Sequence, residues 1–363
     1  MRVLALSRYG RLGASSRMRI YQYVPILQTM GIDVDVSPLL SDDYIRRLYA
    51  KQATNWLAVF GDYWMQAVKL LQAKNFDLLW IEKELFPNLP AWFEQALCSL
   101  GIPYVVDYDD AIFHNYDQNP GLAKRFLTDK IDKVMRNAAL VVGGNAYLAE
   151  RARSAGAHPV ELLPTVIDLE RYQVVSPIVR DRWVVGWMGS PSTAKYLDLV
   201  APALNVLATE FPLQLRVIGA QFAWPGLDVD CRLWSEDSEV SDIQDFDIGI
   251  MPLIDSPWER GKCGYKLIQY MACGKPVIAS PVGVNPEIVE DDINGYLAST
   301  VDDWVYAFRA LFLNAQKRAD MGVQGRRLVE ERYCLQVTAP RLAQLFTKTQ
   351  GKAASFRSGS MSR

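Results

Sequence analysis

Residues 256–289, SPWERGKCGYKLIQYMACGKPVIASPVGVNPEIV, combine a glycine-rich turn, two lysines four apart, an apolar helical run and a strand-like run ending in a second glycine turn. Gly261 and Gly264 allow close backbone approach, and Lys262 can counter phosphate charge. Lys266 falls beside Lys262 if one helix already holds both, and two cations on one face suit a diphosphate. Two merely solvated lysines at a helix start are disfavoured, because the helix dipole repels cations there. Residues 184–200, VVGWMGSPSTAKYLDLV, run from a strand through Gly189 into a Gly-Ser turn, with Ser190, Ser192 and Thr193 as hydroxyl donors. Lys195 can reach the same diphosphate; as an exposed helix lysine it is equally well explained.

The first half offers two further clusters. In SRYGRLGASSRMR, residues 7–19, Gly10 and Gly13 relax the turn, and Ser15 or Ser16 can cap the next helix, exposing amides to an anion. A turn with glycines for geometry alone is about as good a reading; Arg17 and Arg19 tilt it slightly towards anion binding. In PYVVDYDDAIFHNYD, residues 103–117, Asp107, Asp109, Asp110 and His114 stand just beyond the end of a buried strand, where open α/β sheets place their ligands. They can bind sugar hydroxyls, orient an acceptor or act as a base, or Asp109 and Asp110 simply cap a helix while His114 packs. Asp33 and Asp35 follow the first glycine loop at about the spacing of a ribose-binding acid, but the third glycine of a dinucleotide fingerprint is missing, leaving NAD binding a minor alternative.

Such loops need a scaffold. Short Val- and Ile-rich runs alternate with amphipathic stretches of helical length, the pattern of parallel strands between helix layers, so the fold class is α/β. The expected strands are 3–6, 33–36, 78–81, 104–106 and 140–142, then, beyond a weakly periodic linker at 169–182, 183–187, 214–218, 247–251, 276–279 and 295–297. This divides the chain into a Rossmann-like domain over 1–170, a second over 183–330, a helix over 331–350 and a disordered tail over 351–363.

A net charge of −2 gives no concentrated basic field for nucleic acid. Five scattered cysteines without a CxxC pair, and only His114 and His158, argue against a disulfide framework or a zinc site, so no metal is expected and a reducing cytoplasm fits. No uncharged apolar run reaches spanning length, so any membrane association is peripheral. The helical segment LAKRFLTDKIDKVMRNA, with Lys124, Arg125, Lys130, Lys133 and Arg136, suits either a membrane surface or ordinary packing on the sheet.

At these residues the chain resembles family 4 of the retaining glycosyltransferases, the glycosyl transferases group 1, which have the GT-B fold of two Rossmann-like domains with an interdomain cleft. The likeness rests on DIGIMPL (247–253), GYKLIQYMACGKPVIAS (264–280) and GVNPEIVEDDINGYL (283–297), with GASSRMR, GNAYLAERA and LPTVID earlier. It implies sugar transfer with retention from a nucleotide sugar, UDP by default, bound by the domain over 183–330, to a glycan, polysaccharide or lipid-linked acceptor bound by the domain over 1–170, on which the helix over 331–350 packs back, without a cofactor or metal. The implied donor positions are Gly13, Gly189, Ser190, Lys195, Lys262, Gly264, Lys266, Gln269 and Glu287. The implied catalytic positions are Asp109, with His114 as its alternative, and Lys195 and Lys262, which stabilise the leaving diphosphate. The Asp107–Tyr108–Asp109 triplet is also similar to the metal-binding acid pair of single-Rossmann glycosyltransferases. The chain departs from the family at its pair of glutamates: Gly261 and Gln269 occupy those positions, with Glu259 or Asp255 as candidates to replace the first. That departure keeps open a catalytically weak nucleotide-binding or scaffold subunit, with an NAD-dependent oxidoreductase as the remoter alternative.

Overall fold

Leu78–Glu82 and Tyr104–Tyr108 are buried at all five positions each, so both faces of their sheet must be covered, which is the condition parallel strands meet. The computed structural model describes residues 1–50, 52–118, 121, 126–176 and 180–360. They divide into two compact units, Met1–Thr165 with Thr338–Arg363, and Val166–Val337.

The first unit holds β1 (Arg2–Tyr9), β2 (Asp33–Leu40), β3 (Leu78–Glu82), β4 (Tyr104–Tyr108), β5 (Leu140–Gly143) and β6 (Val160–Leu162). They form one sheet in the order β2-β1-β3-β4-β5-β6, with every neighbouring pair parallel. The order reverses between β1 and β3. The second unit holds β7 (Trp183–Met188), β8 (Leu213–Ile218), β9 (Val229–Arg232), β10 (Ile248–Met251), β11 (Val277–Ala279) and β12 (Gly295–Leu297), ordered β12-β11-β10-β7-β8-β9 and likewise parallel throughout. Here the reversal lies between β7 and β10. Open sheets bind ligands beyond the carboxyl ends of strands at such reversals.

Two strands were not anticipated. β6 and β9 are edge strands of three and four residues carrying Glu161, Asp230 and Arg232, and none of their residues is buried, so no apolar run marks them. The core of the second unit is clearer. Trp304, Ala307, Phe308 and Leu311 repeat along the buried face of helix Val301–Leu313 and pack with Trp187, Leu204 and Leu215.

The chain leaves the first unit after Thr165, ahead of the anticipated 169–182 linker, because Tyr172 is buried in the second unit, where its hydroxyl donates to Glu239. Near the return, the Ile167 amide donates to the Tyr333 carbonyl at 3.1 Å, and the Leu335 amide to the Ile167 carbonyl at 2.9 Å. Helix Leu335–Ser360 then contributes Thr338, 2.9 Å from the Tyr23 hydroxyl, and Phe346, edge-on to Trp80 at 5.1 Å, to the first unit. Its backbone stays helical to Ser360, past residue 351 where a disordered tail was expected; no proline follows Pro340, and Ala, Lys and Arg favour helix. Residues 361–363 lie outside the described set.

Candidate functional site

In the second unit three loops meet beyond the carboxyl ends of β7, β10 and β11. The first follows β7: Ser190 Oγ lies 2.9 Å from Ser192 Oγ, and Thr193 Oγ1 donates to the Ser190 carbonyl at 3.0 Å, closing the anticipated turn. A side chain at Gly189 would meet the Trp187 ring at 2.5 Å. The 3-10 turn Ala194–Leu199 then presents Lys195 to solvent, over the Tyr196 ring at 5.3 Å.

Tyr196 joins this loop to the next. Its hydroxyl donates to Glu259 Oε1, and the Ser256 hydroxyl donates to Glu259 Oε2. Burial pushes the Glu259 carboxyl up, but these two hydrogen bonds and Lys262 outweigh it and hold its pKa below the ordinary value. Asp255, the other candidate for the missing family glutamate, is exposed and paired with Arg260 at 2.6 Å. Glu259 is therefore the fixed, ionised carboxylate of this loop.

Lys262 is not on the helix with Lys266, as the four-residue spacing suggested. Helix Tyr265–Ala272 begins only after Gly264, whose φ of +66° is left-handed and breaks the register between the two lysines. Lys266, on the first turn, lies over the Trp187 ring at 5.5 Å, and the Met188 amide donates to the Tyr270 hydroxyl at 2.8 Å, tying this helix to β7. The third loop closes on the same place. A side chain at Gly283, itself at φ +57°, would stand 2.9 Å from the Arg260 carbonyl, and one at Gly264 would strike Ile288 Cδ1 at 2.2 Å. Helix Asn285–Ile288, with exposed Glu287, thus packs on the lysine loop.

Gln269 does not share this edge. It is buried and donates to the Tyr172 hydroxyl at 2.8 Å, continuing through Glu239 to the Trp234 indole N–H, which donates to Glu239 at 2.8 Å. An apolar setting that also offers a phenol turns the amide inward, which corrects its expected ribose contact.

The first unit gathers charge at its own reversal, between β1 and β3. Lys83, which ends the run into WIEK, sits at φ +66°, a conformation non-glycine residues seldom adopt and that costs roughly 1–3 kcal/mol. Its ammonium contacts Asp109 at 2.8 Å and Asp110 at 3.4 Å and donates to Ser15 Oγ at 3.1 Å. Burial alone would discharge Lys83, yet Asp109, Asp110 and Glu82 raise its pKa above the ordinary lysine value. For Asp109 the order is mirrored: burial pushes the carboxyl up, and Lys83, with help from Ser15, brings it below its usual value. Glu82 is buried beside them and is pushed up by burial; one oxygen accepts from Ser16 Oγ at 2.6 Å and the Arg8 amide at 2.9 Å. Sequence reasoning missed Lys83 and Glu82, although three charges, EKE, directly at a strand's carboxyl end were a readable signal.

Several anticipated roles fall to structure instead. Ser16 is buried against Glu82 and caps no helix; the short turn Ala14–Ser16, which runs into Arg17–Tyr21, has Gly13 at its cap, held close over Tyr9. Arg19 is buried, donating to Asp107 at 2.8 Å and to the Leu163 carbonyl at 2.9 Å, which takes both Arg19 and Asp107 out of ligand chemistry. His114 lies between Asp117, 2.9 Å from Nδ1, and the Tyr147 hydroxyl, 2.8 Å from Nε2, a packed histidine. Asp33 opens β2 and Asp35 pairs with Lys69 at 2.8 Å; both lie in the first half of that strand, away from its carboxyl end, where a ribose-binding acid would have to be. Lys130 is buried on Glu84 at 2.5 Å and the Phe86 carbonyl, which removes it from any basic surface, while Lys124 and Arg125 lie outside the described residues. Among the described residues, no group of three or more His, Cys, Asp or Glu could hold a metal ion.

Residues 182–314 match the family described as glycosyl transferases group 1. No curated protein matches the sequence. Among solved structures, the sucrose-phosphate synthase of Thermosynechococcus elongatus is 15% identical with a TM-score of 0.70, covering 96% of this chain and 98% of that one. HepE of Anabaena, in complex with UDP-glucose, is 17% identical with a TM-score of 0.68, covering 96% and 100%. WaaG, a glycosyltransferase involved in lipopolysaccharide biosynthesis, is 14% identical with a TM-score of 0.68, covering 96% and 100%. At such identities these three speak for the fold. The chain has the GT-B fold, and its residues 182–314 match the model of the glycosyl transferases group 1.

Proposed function

We propose that the protein is a retaining, metal-independent hexosyltransferase that takes a sugar from a UDP-sugar held by its second unit and passes it to a glycan, polysaccharide or lipid-linked acceptor held by its first. The observation that carries this reading is the fixing of Glu259 by Tyr196 and Ser256, which ties the Lys195 turn to the Lys262 loop at the β7/β10 reversal. The match of residues 182–314 to the glycosyl transferases group 1 and the UDP-glucose bound to HepE support it.

Lys195 and Lys262 neutralise the leaving diphosphate, the turn at Gly189 and Ser190 and the start of helix Tyr265–Ala272 supply donors, and Glu287 faces the sugar-nucleotide from the third loop. Asp109, held ionised by Lys83, binds an acceptor hydroxyl as a hydrogen-bond acceptor. The donor bond to the anomeric carbon breaks as the acceptor oxygen attacks, and the acceptor proton leaves with the diphosphate.

The test is thermal stabilisation by UDP, GDP, ADP and NAD in parallel, for the wild type and Lys262→Ala. A rise with UDP that disappears in the variant is expected; a rise with NAD alone would overturn the reading. The anomer formed, read by proton NMR of the product, tests retention. A nucleotide-binding subunit without turnover has the inward-facing Gln269 in its favour, and transfer by the purified chain decides against it.

A further inference from the structure

The charges gathered at the β1/β3 reversal of the first unit differ in how far they reach solvent. Lys83 stands in a tight turn at φ +66°, where its amide donates to the Asp107 carbonyl at 2.9 Å and the Glu84 amide donates to the Glu82 carbonyl at 2.7 Å. Its side chain is only 6% exposed, and the two carboxylates it holds are not equivalent: Asp109, at 2.8 Å, is 11% exposed, whereas Asp110, at 3.4 Å, is 31% exposed. Asp110 meets the ammonium through Oδ2, and its Oδ1 has no hydrogen-bond partner among the described residues. Glu82, buried beside them, likewise leaves Oε1 without a partner. The other cations of this edge are committed within the unit: Arg8 contacts Glu84 at 3.3 Å, Arg19 donates to Asp107 at 2.8 Å, and buried Arg17 donates to the Arg11 carbonyl at 3.5 Å. Of these arginines Arg11 alone is exposed.

We infer that the first unit takes its acceptor as an uncharged sugar, and that Asp110 is the residue that selects it. A ligand reaching this edge meets Asp110 ahead of the covered Lys83. The group presented to it is therefore a carboxylate with an open oxygen, which accepts from a sugar hydroxyl and repels a sugar carboxylate or phosphate. Lys83 is the positioning residue: a non-glycine residue at positive φ persists where its surroundings over-determine it, and here Asp109, Asp110 and Ser15 hold the ammonium together. The inference rests on the reading of the first unit as the acceptor side and gives that acceptor a chemical class.

The probes are the methyl glycosides of glucose, galactose and mannose, each paired with its uronic acid counterpart and titrated by ligand-observed NMR into the full chain, wild type and Asp110→Asn. At least one neutral glycoside is expected to bind the wild type, and its acidic counterpart about tenfold more weakly. Asp110→Asn, its fold checked by a circular dichroism melt, is expected to bind that neutral glycoside about tenfold more weakly, because a neutral amide replaces a charged hydrogen-bond acceptor. It should also close the gap between neutral and acidic sugar, whereas a residue serving only the fold would weaken both alike. Binding of no neutral glycoside, an unchanged neutral-to-acidic ratio in the folded variant, or a wild-type preference for the acidic sugar overturns the inference; the last would give the site to Arg11. UDP stabilisation, measured on the same preparations, reports on the donor site: if it is present while the glycosides fail, the acceptor class falls alone, and if it is absent, the donor reading falls.

Discussion

Glu259 makes the sharpest prediction at the scale of a single residue. Its folded pKa lies below the unfolded value, so the folded state binds fewer protons and gains stability from the ionised carboxylate above the ordinary glutamate value. That gain is lost as pH falls through the lowered pKa. Glu259→Gln is expected to cost about 1–3 kcal/mol in urea denaturation at neutral pH, the worth of weakened hydrogen bonds to a charged group, and progressively less in acid. A difference independent of pH would show that Tyr196 and Ser256 do not hold a charge. Gly264→Ala tests the turn behind it: a side chain at φ +66°, against Ile288, should lower stability by about 1–3 kcal/mol and weaken UDP stabilisation with it. The turns that carry Lys195 and Lys262 were legible because each pairs a glycine with the end of a buried strand, and the part of the two lysines at a diphosphate is what the UDP measurement tests. Gln269 and His114 were misread for one shared reason, that a tyrosine distant in sequence, Tyr172 or Tyr147, supplies the hydrogen bond that satisfies each within the fold.

Elements reveal themselves in sequence in proportion to how much they bury. β3 and β4 were found because every position is buried and each begins as a short continuous apolar run, but both extend past their expected ends, to Glu82 and Tyr108, where the residues turn polar. β6 and β9 were not, because an edge strand is selected by backbone pairing with β5 and β8, which leaves no apolar trace. Helix starts carry their own signal: Thr300 and Asp303 form a reciprocal capping box at helix Val301–Leu313. Thr300→Ala should cost about 1 kcal/mol, read as a lower urea midpoint with unchanged slope. The start of Tyr265–Ala272 lacks such a cap, since Gly264 takes the position and its helix carries no side-chain cap hydrogen bond. The element that holds the phosphates in our reading is also one whose first turn its own side chains leave uncapped.

For the molecule as a whole, the proposal divides the labour by unit, and hydrogen exchange can see the division. UDP should slow amide exchange over 187–196, 259–266 and 283–288 of the second unit and leave the strands of the first unswitched; protection spread over β1–β5 would instead place the nucleotide there. The division into two α/β units was legible from the two series of strands, but its boundary was not, since the buried tyrosine that commits residue 172 to the second unit looks like any other residue of a weakly periodic linker. The same boundary has a consequence in time. The first unit begins the chain and also claims Thr338 and Phe346 near its end, so on the ribosome its sheet is translated long before the helix that covers Tyr23 and Trp80 exists. The second unit, continuous from Val166 to Val337, can be complete while the first still waits with an uncovered aromatic face, and a nascent chain stalled before residue 338 is the form in which that face calls for a chaperone.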